Sequence, residues 1–243
     1  MKRNVDLKEI SDGRLYEEGD MVKAGCNDCK GCFACCTGMG ESIVLDPLDM
    51  YRLTCGAGLS VEELFGQYLE LHVVDGLTLP NLRMTVAGDR AARTMGDSTT
   101  PQVADTREQR EGRCSFLNEQ GRCSIHPYRP GICRIFPLGR IYENGDFKYF
   151  LQKGECKSSI HTKVKLDKWI DVDNVRANHE FLNTWHYFLN DLEERVGNLE
   201  DMELAKRLNL LLLQTFYLTP YEGNRDFYGQ FKERHAGFLS LLT

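Results

Sequence analysis

An α+β fold with an irregular, metal-stapled, cysteine-rich core is what this sequence predicts, on three observations. Five thiols crowd into the stretch Cys26-Asn-Asp-Cys29-Lys-Gly-Cys32-Phe-Ala-Cys35-Cys36. Short apolar runs broken by turn residues occupy the middle of the chain, which predicts small β-hairpins with two helices beside them. From about Val172 onward apolar residues recur at helical spacing, and this cysteine-free part predicts a C-terminal segment of about three helices. The expected organisation is a polar lead-in over residues 1–25, a cysteine-cluster metal-binding domain over 26–160, and a helical segment over 161–243 packed on it.

The 243 residues, 42% hydrophobic and 27% charged, are ordinary for a soluble globular protein with a real core. A net charge of -6 argues against nucleic acid or an anionic membrane as partner, because both need a basic surface that releases counterions. The longest apolar run, Leu208 to Leu218, is interrupted by Asn209 and Gln214 and is too short to span a bilayer. No apolar stretch follows Met1-Lys2-Arg3, so no secretory signal is expected and the cytoplasm is the expected compartment. There thiols stay reduced, and ten cysteines point to metal binding or redox chemistry rather than to disulfides.

Taken in order, Ser42 to Leu45 is a strand candidate, and Asp46-Pro47 opens a helix, with Asp as cap and Pro at the first helical position. That helix should end near Gly56. Ser60-Val-Glu-Glu63 is a capping box that starts a second helix to about Leu71, with Leu64, Tyr68 and Leu71 on one face, and the two helices are expected to cover the thiol loop. Leu77 to Ala87 alternates and predicts one or two short strands; Gly88 to Arg113 is polar and predicts an exposed loop. Asn118 to Gly121 predicts a hairpin that presents Cys114 and Cys123. Prolines at 127, 130 and 137 predict a rigid loop with extended pieces. Glu143-Asn-Gly-Asp146 is a strong hairpin signal, and Cys156 follows the hairpin. Helices are then expected from Val172 to Gly197, Met202 to Leu218 and Tyr221 to Leu242, with the stripe Phe181, Leu182, Trp185, Leu189 and Leu192 facing a core.

Soft donors a few residues apart let a short loop aim several thiolates at one ion, and such ligands select zinc, copper(I) or an iron-sulfur cluster. Cys26, Cys29, Cys32 and Cys36 reproduce the C-x2-C-x2-C-x3-C spacing of bacterial ferredoxins. No proline follows Cys36, Cys35 is an extra thiol and no second copy exists, which excludes an ordinary electron-carrying ferredoxin. Adjacent Cys35 and Cys36 point in different directions in extended backbone, which would let them serve two separate sites. His126 stands at a zinc-like spacing from Cys123, but hydrogen bonding within its loop is the preferred reading; Cys55 reads as a small buried apolar group. Arg129 and Arg134 are candidates for cofactor binding, since guanidinium groups offset thiolate charge.

The pattern Cys29-x2-Cys32-x2-Cys35-Cys36, followed by Cys114-Ser-Phe-Leu, by Cys123-Ser-Ile-His-Pro-Tyr-Arg-Pro-Gly-Ile-Cys133-Arg-Ile-Phe-Pro137 and by Cys156, closely resembles the YkgJ or CxxCxxCC family over about residues 26–156. That family is described as zinc- or iron-chelating, or as containing iron-sulfur clusters. The resemblance implies Cys29, Cys32, Cys35, Cys36, Cys114, Cys123, Cys133 and Cys156 as metal ligands, with Cys26 extending the motif. Eight thiols suit two four-ligand centres, or one centre with a redox-active remainder. The ferredoxin-like spacing favours an iron-sulfur cluster (4Fe-4S) over zinc, and with it an electron-transfer or redox role toward an unknown protein partner. Because some members are linked to flagellin lysine N-methylation, the resemblance also implies a cluster-dependent protein-lysine methyltransferase as an alternative; no glycine-rich methyl-donor loop is present. A zinc-binding interaction scaffold is a third reading. No G-x-S-x-G elbow, P-loop, HExxH or dinucleotide fingerprint occurs, so enzyme status stays open.

Overall fold

The computed structural model describes residues 6–26, 32–85, 112–158 and 161–242. A helical turn, α1 (Leu7–Ile10), leads into β1 (Ser11–Tyr16) and β2 (Met21–Gly25). The segment expected as a polar lead-in is thus built into two sheets from Ser11 on. Val22 and Ala24 alternate with exposed Met21 and Lys23, so one face of β2 is apolar although the segment as a whole is polar. β1 pairs antiparallel with residues 146–152, placing Tyr16 opposite Tyr149, and β2 pairs with residues 162–165, placing Val22 opposite Val164.

The expected strand at Ser42–Leu45 is only a single bridge, Val44 to Asn81. Asp46 caps α2 (Pro47–Tyr51), which continues as a wider π-type turn to Gly56. The box at its start is reciprocal: Asp46 accepts from Asp49 N at 2.9 Å and Asp49 accepts from Asp46 N at 3.1 Å. Ser60 and Glu63 form the expected second box on α3 (Val61–Glu63), which continues to Tyr68. Leu71 is not on that helix. The chain turns extended at Leu69 and forms β3 (Leu69–Val74), joined to β4 (Leu77–Leu82) through Asp75 and Gly76, both at positive φ (51° and 84°). This two-residue turn matches the twist of the strands it joins.

β5 (Met84–Thr85) pairs with β6 (Arg113–Cys114), so Cys114 is held by Met84 rather than by the expected hairpin with Cys123. The Asn118–Gly121 turn is present, closed by the bridge Leu117 to Cys123 and by Ser124 N donating to Phe116 O at 2.9 Å, so the turn brings in Cys123 while Cys114 pairs elsewhere. Most of the polar stretch from Gly88 lies outside the described residues. A 3-10 turn at His126–Tyr128 precedes α4 (Gly131–Ile135), where an extended loop was expected. Pro130 sits at the N-cap of α4, where a missing N–H costs nothing, so it starts a helical turn instead of preventing one. β7 (Leu138–Glu143) and β8 (Asp146–Gln152) form the hairpin signalled by Asn144-Gly145, and with β1 they make a three-stranded sheet in the order β1-β8-β7. β9 (Thr162–Lys165) completes the pair with β2 and runs into α5 (Leu166–Ile170).

Three longer helices follow: α6 (Val175–Gly197), α7 (Met202–Leu213, extended to Leu218 by a π-type turn) and α8 (Phe227–Ser240). Phe181, Leu182, Trp185 and Leu192 are buried as expected and Phe188 joins them, while Leu189 is half-buried. Trp185 meets Phe216 edge-on with centroids 5.0 Å apart, a favourable arrangement for two rings. The helices cover α2: Tyr217 donates its hydroxyl to Leu45 O at 3.0 Å, and Tyr51 packs on Tyr221 and Phe227. Among the described residues no helix is long and apolar enough to cross a membrane.

His179 on α6 ties this layer to both turns of the β1-β8-β7 sheet, with Nδ1 2.5 Å from Glu18 and Nε2 2.6 Å from Asp146. Burial alone would lower its pKa, but the hydrogen bonds to the two carboxylates reverse that and raise it above 6.5. The folded state therefore holds this proton more tightly than the unfolded one. The tie is fully present below the unfolded value of 6.5 and is lost as pH rises through the raised folded value. Chemical denaturation of His179→Gln should show a loss of about 0.5–1 kcal/mol near pH 6 that shrinks toward pH 9.

Candidate metal centre

Four separated segments bring thiols to one cavity of about 80 Å³: Cys32, Cys35, Cys36, Cys114, Cys123 and Cys133 all line it. Cys35 and Cys36 sit in a 3-10 turn (Ala34–Cys36) closed by Cys36 N donating to Phe33 O at 2.8 Å. Because this backbone is curled and not extended, the two neighbours reach the same cavity, where extended backbone would have let them serve two separate sites. Thr37 bridges Arg113, and Gly38 N donates to Gly112 O at 3.1 Å, which lays the first thiol segment beside Cys114. Cys123 enters on the Leu117 bridge, and Cys133 is the third residue of α4.

Cys26 is buried at the end of β2, and Cys156 follows β8; neither lines the cavity. Burial raises the pKa of Cys156, and Cys26, Cys32 and Cys35 add to that shift. Cys29 lies outside the described residues. Cys55 is remote: its Sγ points to Tyr221 O at 3.4 Å. All nine described cysteines are free thiols.

Aromatic side chains form much of the wall, with Phe33, Phe116, Phe136 and Trp169 around the sulfurs. Tyr68 stacks on Phe116 at 4.2 Å, and Trp169 donates Nε1–H to Ile135 O at 3.0 Å. Gly121 is required on two counts: its φ is +69°, and a Cβ there would stand 2.9 Å from the Phe33 ring. The two helices over residues 47–68, expected to cover the thiol loop, contribute nothing to this wall.

Burial in this apolar setting penalises thiolate. It pushes Cys114 up to about 11, raises Cys123, and raises Cys133 well above its ordinary value, with neighbouring thiols adding to the shift at each. Cys35 goes the other way, held down to about 7 by the hydrogen bond from Cys36, whose own pKa that contact raises. Arg129 lines the cavity and favours the charged forms of Cys35 and Cys123. Its Nη1 meets Nε2 of His126, which also lines the cavity.

Arg134 does not line the cavity. It is 3% exposed, and its Nη1 donates to Ile170 O and Asp171 O, both at 3.2 Å. It clamps the end of α5 behind the thiols. Facing it is Asp49, a residue the sequence reading passed over, 1% exposed and raised to about 7 by burial and by Asp46. The signal was available in the Asp46-x-x-Asp49 spacing, but a capping box explains such a pair without any second role.

Six sulfurs with no carboxylate or amide oxygen among them are a donor set suited to zinc or iron-sulfur and unsuited to hard cations. Among the described residues no three or more Cys, His, Asp or Glu already stand as a closed metal-binding group. The donors that line the cavity fit a soft metal by their chemistry. No curated protein and no solved structure matches the chain. A family model does: the CxxCxxCC model, described as "Putative zinc- or iron-chelating domain", matches residues 28–157, more than half of the chain and all the thiol segments that meet at the cavity. With its motif in place and its thiols converging, the chain belongs to the CxxCxxCC family of zinc- or iron-chelating domains.

Proposed function

We propose that the protein carries one or two thiolate-ligated iron-sulfur clusters and serves an electron-transfer or redox step toward a protein partner in the cytoplasm. The observation that carries this reading is the number of sulfurs. Six line one cavity, and Cys26, Cys29 and Cys156 stand outside its lining or outside the described residues, which is more thiols than one four-ligand centre takes and suits two centres or one centre with a redox-active remainder. The ferredoxin-like spacing of Cys26, Cys29, Cys32 and Cys36 points the same way.

When bound, such a cluster supplies one-electron redox chemistry. The chain's own part is to hold and insulate it. Four of Cys32, Cys35, Cys36, Cys114, Cys123 and Cys133 would hold it at the cavity, and Phe33, Phe116, Phe136 and Trp169 give that cavity an apolar wall. The Arg129 guanidinium offsets thiolate charge from the wall. Arg134 acts from behind, by holding the segment that bears Cys133.

Anaerobic purification should give a coloured protein with iron and acid-labile sulfide in comparable amounts and a visible charge-transfer band that bleaches on reduction. A colourless protein with stoichiometric zinc would overturn the cluster. In metal analysis, Cys36→Ser and Cys133→Ser should each lose most of the bound metal while Cys55→Ser keeps it, because only the first two thiols reach the cavity.

A further inference from the structure

We infer that Asp49 is a positioning residue for Cys133: its buried carboxylate holds the first turn of α4 against α2 and thereby sets where the Cys133 thiol stands in the cavity. The inference rests on the reading of Cys133 as a ligand.

The two carboxylate oxygens of Asp49 are divided between two elements. Oδ2 accepts from Asp46 N at 3.1 Å and completes the capping box of α2, while Oδ1 accepts from Gly131 N at 2.6 Å across 82 residues of sequence. Capping α2 needs only the first of these. The second supplies what α4 lacks, since its N-cap is Pro130 and no side chain of its own segment caps it. A five-residue helix does not hold its place by its own hydrogen bonds, so its position depends on its anchors. Asp49 is the anchor before Cys133, and Arg134, bonded to the Ile170 and Asp171 carbonyls, is the anchor after it. A Cβ on Gly131 would stand in ordinary contact with Arg134 Nη2 at 3.4 Å and with the Asp46 and Asp49 carboxylates at 3.6 Å, which shows how near this turn of α4 lies to the capping box of α2. Asp49 itself does not line the cavity, so its effect on the metal centre passes through Cys133.

The test uses the full chain, metal-free and reduced, with iodoacetamide as probe and mass spectrometry to read alkylation at each cysteine. Asp49→Asn keeps an acceptor oxygen in the same shape; Asp49→Leu keeps the volume without one. Asp49→Leu should speed alkylation of Cys133 relative to Cys114 about tenfold or more, the shift expected when a buried hydrogen bond to a charged group is lost, and Asp49→Asn should restore most of the protection. If circular dichroism shows Asp49→Leu unfolded, Asp49→Ser, too short to reach Gly131, takes its place under the same criterion. After loading with iron and sulfide, the variant without the acceptor should show an altered EPR spectrum that Asp49→Asn returns toward wild type. Equal acceleration at Cys114, Cys123 and Cys133, or none at Cys133, overturns the inference. A wild-type protein that takes up neither iron nor zinc ends the metal reading while leaving the alkylation result to decide the positioning role.

Discussion

Desolvation of sulfur is the constraint on which the rest of this structure depends. A thiol is content in an apolar wall, but a thiolate there is penalised by burial and again by each neighbour that ionises. Cys114, Cys123 and Cys133 all feel both effects, while Arg129 supplies a single positive charge to the group. Ionising such a cavity as a set calls for a balancing positive charge, so binding a cation there would go together with proton release. The sulfurs are delivered by weak local devices: a 3-10 turn, a two-residue strand and a short helix, none of which would be stable alone.

The polar layer behind the cavity follows a different logic. Asp49 and Arg134 are nearly inaccessible, burial works against the charged form of each, and both are hydrogen-bonded to backbone. A buried charge with hydrogen bonds on several sides specifies position strongly, since losing one partner leaves the remainder unsatisfied. The aromatic helices add the complementary term. Tyr217, Tyr221 and Phe227 press on α2, so the element that carries Asp49 is held from the side opposite to the sulfurs.

Local chemistry was readable in the sequence and long-range pairing was not. The caps at Asp46 and Ser60, the Asn144-Gly145 hairpin and the buried stripe on α6 each arise from residues a few positions apart, and the structure has them where the spacing places them. Asp75-Gly76 carries the same hairpin signal, yet the capping box at Ser60 argued for a helix running through Leu71, and two local signals in conflict are settled only by what packs. β1 and β2 were obscured because the segment is polar overall and their partners lie far along the chain, and prolines hid α4 because Pro130 stands at its N-cap, just outside the helix, where it does not break it. At the site, ligand candidates were legible from spacing. Their convergence, the aromatic wall and the second role of Asp49 belong to tertiary structure and have no local signature.

The pairing of β2 with β9 carries a consequence for biosynthesis. Gly25, one residue before the first thiol, lies opposite Thr162. At roughly 5–20 residues per second of translation, the early cysteines emerge on the order of 7–30 s before the strand that pairs with β2 has been made. During that interval they are exposed, nucleophilic and without their later partners, so the nascent chain depends on reducing conditions, or on early capture by a carrier, well before it has a fold to protect them.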